Sequence, residues 1–432
     1  MKAFRPYVER LEDMAVSLPA QRGDWTQRVA SALNGEPGRE LADVLSLRTR
    51  RKMGAFFTGV TLAQRAIPRL NGSPHHTVFF DPACGVGDLL LAAARLLPLR
   101  DSLQGTLDSW GAQLVGCDTN PEFVRAAKTR LVLLARQRGV PVGKTERLDL
   151  QSVFPLIEVR DGLKAIDQCR VATWIVLNPP YGYVFAPEGC RWALGKLTAA
   201  AVFFEACLRH SAAGTRITAI LPDVLRSGTR YEKWRQMVSK QSVVNRIEPY
   251  GLFDRNADVH VFVLDVTKEK ATARPRKALW LGKPVDRQTT VGDFFAVHVG
   301  SVVPHRHRQR GIRVCVPYIH ARAIPAWAQV RRIADQRRFK GSLFKPPFVA
   351  IRRTSRPEDT YRATGTLVTG VRAVAVENHL IVCCPSDGTI KTCRQLLRLM
   401  KEQRTNDWLN TRIRCRHLTV SAIRELPWQS KP

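Results

Sequence analysis

The residues best placed to do chemistry in this 432-residue chain lie in WIVLNPPY, positions 174–181. Four apolar residues predict a short buried strand that ends on Asn178, two prolines and an aromatic. Proline fixes φ and has no N–H, so the backbone carbonyls of Asn178 and Pro179 are not consumed by a continuing helix and can point outward as acceptors. The Asn178 side chain adds another carbonyl, and Tyr181 offers a flat face. Acceptors for an exocyclic amino group beside a stacking platform are what an enzyme acting on a flipped-out base requires. Upstream, VFFDPACGVGD carries a strand into Asp81 and turns through Gly85 and Gly87 into a helix. Glycines there either bring backbone N–H groups to a ligand or pack a tight turn. LVGCDTNP ends a second strand on Asp118, where an acid can accept both hydroxyls of a ribose. Asp149, in RLDLQSVF, is read as a third acid at a strand end.

The elements that must position these residues alternate in the text. Short apolar runs at 77–80, 113–117, 173–177, 217–221, 243–247 and 259–266 predict strands, and amphipathic stretches at 87–97, 121–138, 197–210 and 229–240 predict helices. Strands alternating with helices predict an α/β fold with a doubly wound, Rossmann-like parallel sheet. Only residues 248–258 separate the last two strands, too few for a helical crossover, so they should form an antiparallel edge hairpin. Residues 1–50 read as a helical segment running into the basic Arg48, Arg50, Arg51 and Lys52, and 51–266 as the catalytic domain. The charged, aperiodic stretch at 267–284 reads as a linker. Residues 285–432, with short strands and one helix over 390–412, read as a C-terminal α+β domain.

DPACGVGD, GCDTNP, LDL and NPPY, in this order, resemble the S-adenosyl-L-methionine-dependent amino-methyltransferases, and specifically the N6-adenine DNA methyltransferases. The resemblance implies Asn178, Pro179, Pro180 and Tyr181 as catalytic residues. It places Asp81, Cys84, Gly85 and Gly87 along the methionine part of the cofactor, Asp118 at the ribose, and Asp149 with Leu150 at the adenine. MGAFFTGVTLA resembles the family's N-terminal motif, in which Thr58 would bind the methionine carboxylate, with Gly59 where the usual residue is proline. GLFDRNADVHVFVL resembles the segment whose aromatic packs on the flipped base, which nominates Phe253 beside Tyr181. The 97 residues from Asp81 to Asn178 exceed the spacing of compact members, so inserted loops are expected around 98–112 and 155–170. Segments such as PYIHARAIPAW, AIRRTS and HLTVSAIRELPW resemble target-recognition domains, with Arg352 and Arg353 as candidate DNA-binding residues.

Composition supports a polyanionic partner. The formal charge is +31 with 44% hydrophobic residues, which excludes general disorder. From Val266 onward 33 basic residues face 11 acidic ones, +22, and arginine dominates, whose planar fork suits guanine or phosphate. Ten cysteines without a C-x-x-C pair read as cytosolic thiols, no metal site is expected, and His305 and His307 read as part of a basic loop. Scattered N-terminal charges and the lack of any 18-residue apolar run lead to an expectation of a cytoplasmic protein with no membrane partner. The expected partners are double-stranded DNA and, for restriction, an endonuclease or defence-complex subunits on other chains. Methylation of RNA or of a protein glutamine, and a non-catalytic DNA-binding specificity subunit, stand as the alternatives.

Overall fold

The structure is a computed structural model that describes residues 2–17, 22–69, 74–139, 148–150, 152–254, 256–270, 278–282, 289–307 and 314–428. Much of the expected linker (271–277 and 283–288) and part of the basic loop (308–311) lie outside the described residues. The chain divides into two units, Met1–Leu225 with Arg230–Ala278, and Arg226–Thr229 with Leu279–Pro432.

Five helices open the first unit: α1 (Arg5–Val16), α2 (Arg22–Ala32), α3 (Glu36–Val44), α4 (Leu47–Met53) and α5 (Val60–Ala66). The strands β1 (Phe79–Asp81), β2 (Leu114–Asp118), β3 (Ile157–Val159) and β4 (Trp174–Leu177) follow, with α6 (Asp88–Ala94), α7 (Leu103–Gly111) and α8 (Pro121–Gln137) between them. A small hairpin, β5 (Tyr183–Phe185) and β6 (Lys196–Thr198), leads to α9 (Ala199–His210) and β7 (Arg216–Pro222). After α10 (Asp223–Ser227) and α11 (Glu232–Gln241) come β8 (Ser242–Leu252) and β9 (His260–Lys268).

Seven strands form one sheet in the order β3-β2-β1-β4-β7-β9-β8. β3, β2, β1, β4 and β7 pair in parallel, whereas β9 runs antiparallel to both β7 and β8. Strand order reverses between β1 and β4, the place where open α/β sheets leave a crevice at the carboxyl ends of their strands. β1 and β4 are buried throughout, as strands covered on both faces by helices must be.

Two expectations about this unit need correction. Both presumed inserted loops carry regular structure, α7 in the first and the edge strand β3 in the second. The N-terminal helical segment is also not set apart, because Phe4, Tyr7, Val8 and Leu11 share a core with Phe123 and Val124 of α8. Arginines of α8 make the junction. Arg136 donates to the carbonyls of Met14 and Ala15 at the end of α1, and Arg130, fully buried, donates to Ala32 O at the end of α2. Helix C-termini leave carbonyls without intrahelical donors, and a guanidinium can serve several at once.

The second unit holds β10 (Phe295–Val299), β11 (Cys315–Ile319), β12 (Gln329–Val330), β13 (Gln336–Arg338), β14 (Phe348–Arg352), β15 (Gly365–Val368), β16 (Ala375–Val376) and β17 (Leu380–Pro385). They form a five-stranded sheet, β10-β17-β14-β15-β12, and a three-stranded one, β13-β11-β16. Side chains alternate across the larger sheet as a period of two requires. Val349, Ile351, Leu367 and Ile381 meet Leu396, Met400 and Leu409, while Phe348, Ala350, Val368 and Val382 meet Ile319 and Val376. The single helix expected over 390–412 is in fact two, Ile390–Met400 and Gln403–Arg412. Glu402 is extended (ψ 140°), and the Thr405 hydroxyl caps Leu399 O at 2.6 Å.

Candidate active site at the ends of the first and fourth strands

Asn178 stands one residue beyond β4, where three adjoining cavities meet, and lines all of them. Its amide is fixed from both sides: Nδ2 donates to Thr58 Oγ1 at 2.9 Å, and Oδ1 accepts from the Tyr181 hydroxyl at 2.7 Å. Burial holds the Tyr181 hydroxyl well above its ordinary pKa, so it stays protonated and donates. The loop is anchored downstream, where the Tyr181 carbonyl accepts from Thr198 Oγ1 at 3.2 Å and Gly182 O from Ala199 N at 2.7 Å. The Pro179 carbonyl meets no donor among the described residues.

The cavity on the β1 side, about 170 Å³, is lined by Phe56, Phe57, Gly85, Asp118, Phe123, Asp161 and Pro180 among others. Asp118 accepts from the N–H groups of Gly85 (3.1 Å) and Asn120 (2.8 Å), which offset the burial that raises its carboxyl pKa. Phe57 and Phe123 meet edge to face at 5.1 Å and wall the space with apolar surface. A smaller cavity adjoins it, lined by Thr58, Asp81, Cys84, Gly85 and Asp88. Asp81 is 1% exposed, and burial pushes its carboxyl up to about 8 despite one N–H from Ala83. Burial likewise keeps the Cys84 thiol neutral.

Gly59 gives the Thr58 turn its shape. Its φ of 71° and ψ of 160° suit glycine alone, and its N–H donates to Asp88 Oδ2 at 2.7 Å, a bond that proline could not make. Asp88 Oδ1 is held in turn by the buried Arg130 at 2.9 Å.

The cavity on the other side of Asn178, about 180 Å³, is lined by Arg51, Phe56, Pro179, Tyr181, Tyr183 and Phe253 among others. The Tyr181 and Phe253 rings lie 5.7 Å apart at 70°. Aromatic side chains and the Asn178–Pro179 step thus line one cavity.

Five nominated residues lie elsewhere. Asp149 and Leu150 precede β3 in a turn and line none of these cavities; the acid that follows the third strand is Asp161. β3 is three residues long with a single buried one, Ile157, and the apolar stretch VFPLIEV that holds it is broken by Pro155, so the run did not read as a strand. The usable signal was the Asp161–Gly162 step, since a Cβ on Gly162 would fall 1.8 Å from Pro82 O. Gly87 packs α6 against Ala127 instead of facing a cavity. Arg352 donates to Ile324 O (2.9 Å), and Arg353 to Leu418 O (3.2 Å) and Asn378 O (3.4 Å), so both guanidiniums serve the second unit's own backbone. The sequence reading also missed Phe57, Phe123, Arg51 and Tyr183.

A profile of the N-6 DNA methylase family matches residues 44–284, more than half of the chain and all of the elements that build this site. The chain belongs to the N-6 DNA methylase family. No curated protein sequence matches the chain. Among solved structures, the type IIL restriction-modification enzyme MmeI bound to DNA is 13% identical, with a TM-score of 0.49 over 92% of this chain and 66% of its own. The type IIG restriction endonuclease BpuSI is 14% identical, with a TM-score of 0.46 over 99% and 66%. A modification subunit assigned to a type I restriction enzyme of Vibrio vulnificus YJ016 is 17% identical, with a TM-score of 0.39 over 54% and 50%. The chain thus spans half to two thirds of the length of these proteins, and at such scores the likenesses carry no argument about its chemistry. Among the described residues no helix is long and apolar enough to cross a membrane, and no three His, Cys, Asp or Glu side chains cluster as metal ligands would.

Proposed function

We propose that this chain transfers the methyl group of S-adenosyl-L-methionine to N6 of an adenine flipped out of a specific double-stranded DNA sequence. It would act as the modification component of a restriction-modification or related defence system, alongside an endonuclease or defence-complex subunits on other chains. The observation that carries this reading is the position of Asn178, a fixed acceptor at the junction of an acid-lined and an aromatic-lined cavity.

The donor set of the first cavity fits the cofactor. Asp118 would accept ribose hydroxyls, Asp161 would accept from the adenine, and Phe57 and Phe123 would cover its ring. Thr58, Asp81 and the Gly85 turn, which line the adjoining cavity, would hold the methionine end. When bound, the cofactor supplies an electrophilic sulfonium methyl.

The remaining work belongs to this chain's own residues. The N6 lone pair of adenine is delocalised into the ring and is a poor nucleophile. Hydrogen bonds from the amino group to Asn178 Oδ1 and the Pro179 carbonyl fix the nitrogen and favour its pyramidal form, aimed at the first cavity. Fixed acceptors of this kind act by positioning and electrostatics, and a proton that leaves after methyl transfer needs no strong base. Tyr181 and Phe253 offset the unstacking cost of a flipped base, at roughly 1–3 kcal/mol per aromatic contact.

The test is methyl transfer from labelled S-adenosyl-L-methionine to duplex DNA, with sequencing for N6-methyladenine in cells that express the chain. Asn178→Ala should abolish both signals. Wild-type turnover in that variant, or an unmodified genome beside methylated RNA, would overturn the proposal.

A further inference from the structure

The second unit contains a concave surface of about 770 Å³ that belongs to none of the cavities above. It lies by the β12 edge of the five-stranded sheet and β13 of the smaller one, and the loop after β15 closes it. Gln329, Arg331, Arg332, Gln336, Thr369 and Arg372 supply its polar lining, and no carboxylate is among the lining residues.

The three arginines differ from many others in this unit. Arg337, Arg352, Arg353 and Arg362 donate to backbone carbonyls. Arg331, Arg332 and Arg372 are exposed and make no hydrogen bond or ion pair among the described residues. A long cationic side chain with no internal partner on a concave surface is available to an external anion or acceptor.

We propose that this surface reads base edges in the major groove of duplex DNA and sets the methylated sequence, an inference that rests on the proposed function. Its mixture of groups favours base edges over phosphate. A phosphate site needs donors alone, whereas here donors alternate with amides that both donate and accept. Gln329 is oriented by Arg394 (3.2 Å) and by Thr369 (3.4 Å), and Val371, 93% exposed, presents an apolar tip. Arginine forks match guanine O6 and N7, glutamine amides match adenine N6 and N7, and an apolar tip suits the thymine methyl.

The experiment is modified-base sequencing of genomic DNA from a methylation-free host expressing wild type, Arg332→Ala, Arg372→Ala or Gln336→Ala. Salt-dependent DNA binding and cofactor affinity of the purified proteins complete it. Each variant should keep wild-type cofactor affinity and relax the methylated motif at one position, with discrimination there falling about 10- to 100-fold. An unchanged motif overturns the inference. So does a uniform loss of affinity on all sequences with a shallower salt slope, the signature of a phosphate contact. A wild-type chain that marks no DNA overturns both this inference and the proposed function, whereas a wild-type motif shared by all variants overturns this one alone.

Discussion

Asn178 Nδ2 donates to Thr58 Oγ1 at 2.9 Å, joining two motifs that lie 120 residues apart in the chain. The threonine therefore orients the amide that, in the proposed reaction, accepts the substrate's amino group. Thr58→Val should lower kcat about 10-fold, since a lost hydrogen bond of about 1 kcal/mol is compounded by a misdirected amide. Thr58→Ser should restore most of it. Steady-state kinetics on a DNA substrate checks both variants.

Gly59 stands where the family's motif usually has proline, and here the exchange matters structurally. Gly59→Pro would remove the N–H bonded to Asp88 and exclude the observed φ. Cofactor affinity should fall at least 10-fold, and stability by about 1–3 kcal/mol. Calorimetric titration with S-adenosyl-L-methionine and urea unfolding measure the two effects.

Asp161→Ala should weaken cofactor binding by about 10-fold or more, and Asp149→Ala should leave it within about 2-fold, reversing the assignment that the family resemblance implied. Gly162→Ala should behave like Asp161→Ala, because its methyl group would collide with the Pro82 carbonyl and displace the turn. Equal affinities for the two aspartate variants would contradict the placement.

Asp81 imposes a pH dependence on the free protein. Its carboxyl rises from the ordinary 3.8 to about 8 on burial, so between those values the folded chain holds a proton that the unfolded chain has lost. Its contribution is fully present below the lower value and is lost as pH rises through the upper one. The slope is at most about 1.4 kcal/mol per pH unit. Asp81→Asn lacks this proton, so its stability relative to wild type should rise from pH 5 to pH 8 in urea titrations. Parallel profiles would refute the assignment.

Arg362 is fully buried and donates to Ser355 O, Ser355 Oγ, Ile413 O and Cys415 O. Arg362→Met would leave several carbonyls without donors and should destabilise the protein by about 3 kcal/mol or more. The lowered midpoint should appear in chemical unfolding, with cofactor affinity retained by the folded fraction.

The parallel sheet and the heart of the site could be read from the sequence because their signals are local. A buried strand followed at once by DPACGVG, GCD or NPPY carries its own apolar run and its own polar residues, so Asp81, Asp118, Asn178 and Tyr181, which the fold brings to the cavities, were nominated without knowledge of the packing. β3 was not, since it is a three-residue edge strand whose apolar stretch is broken by Pro155, and the acid after it was sought in the wrong place. Charge shows the same division. Composition alone located a +22 excess in the last 167 residues and pointed to a polyanion. Only tertiary structure separated the arginines bonded to carbonyls, Arg352, Arg353 and Arg362 among them, from Arg331, Arg332 and Arg372, which have no partner among the described residues. An arginine's partners are decided by which backbone groups distant segments bring within 3 Å or so of its fork, and no residue count or spacing encodes that distance.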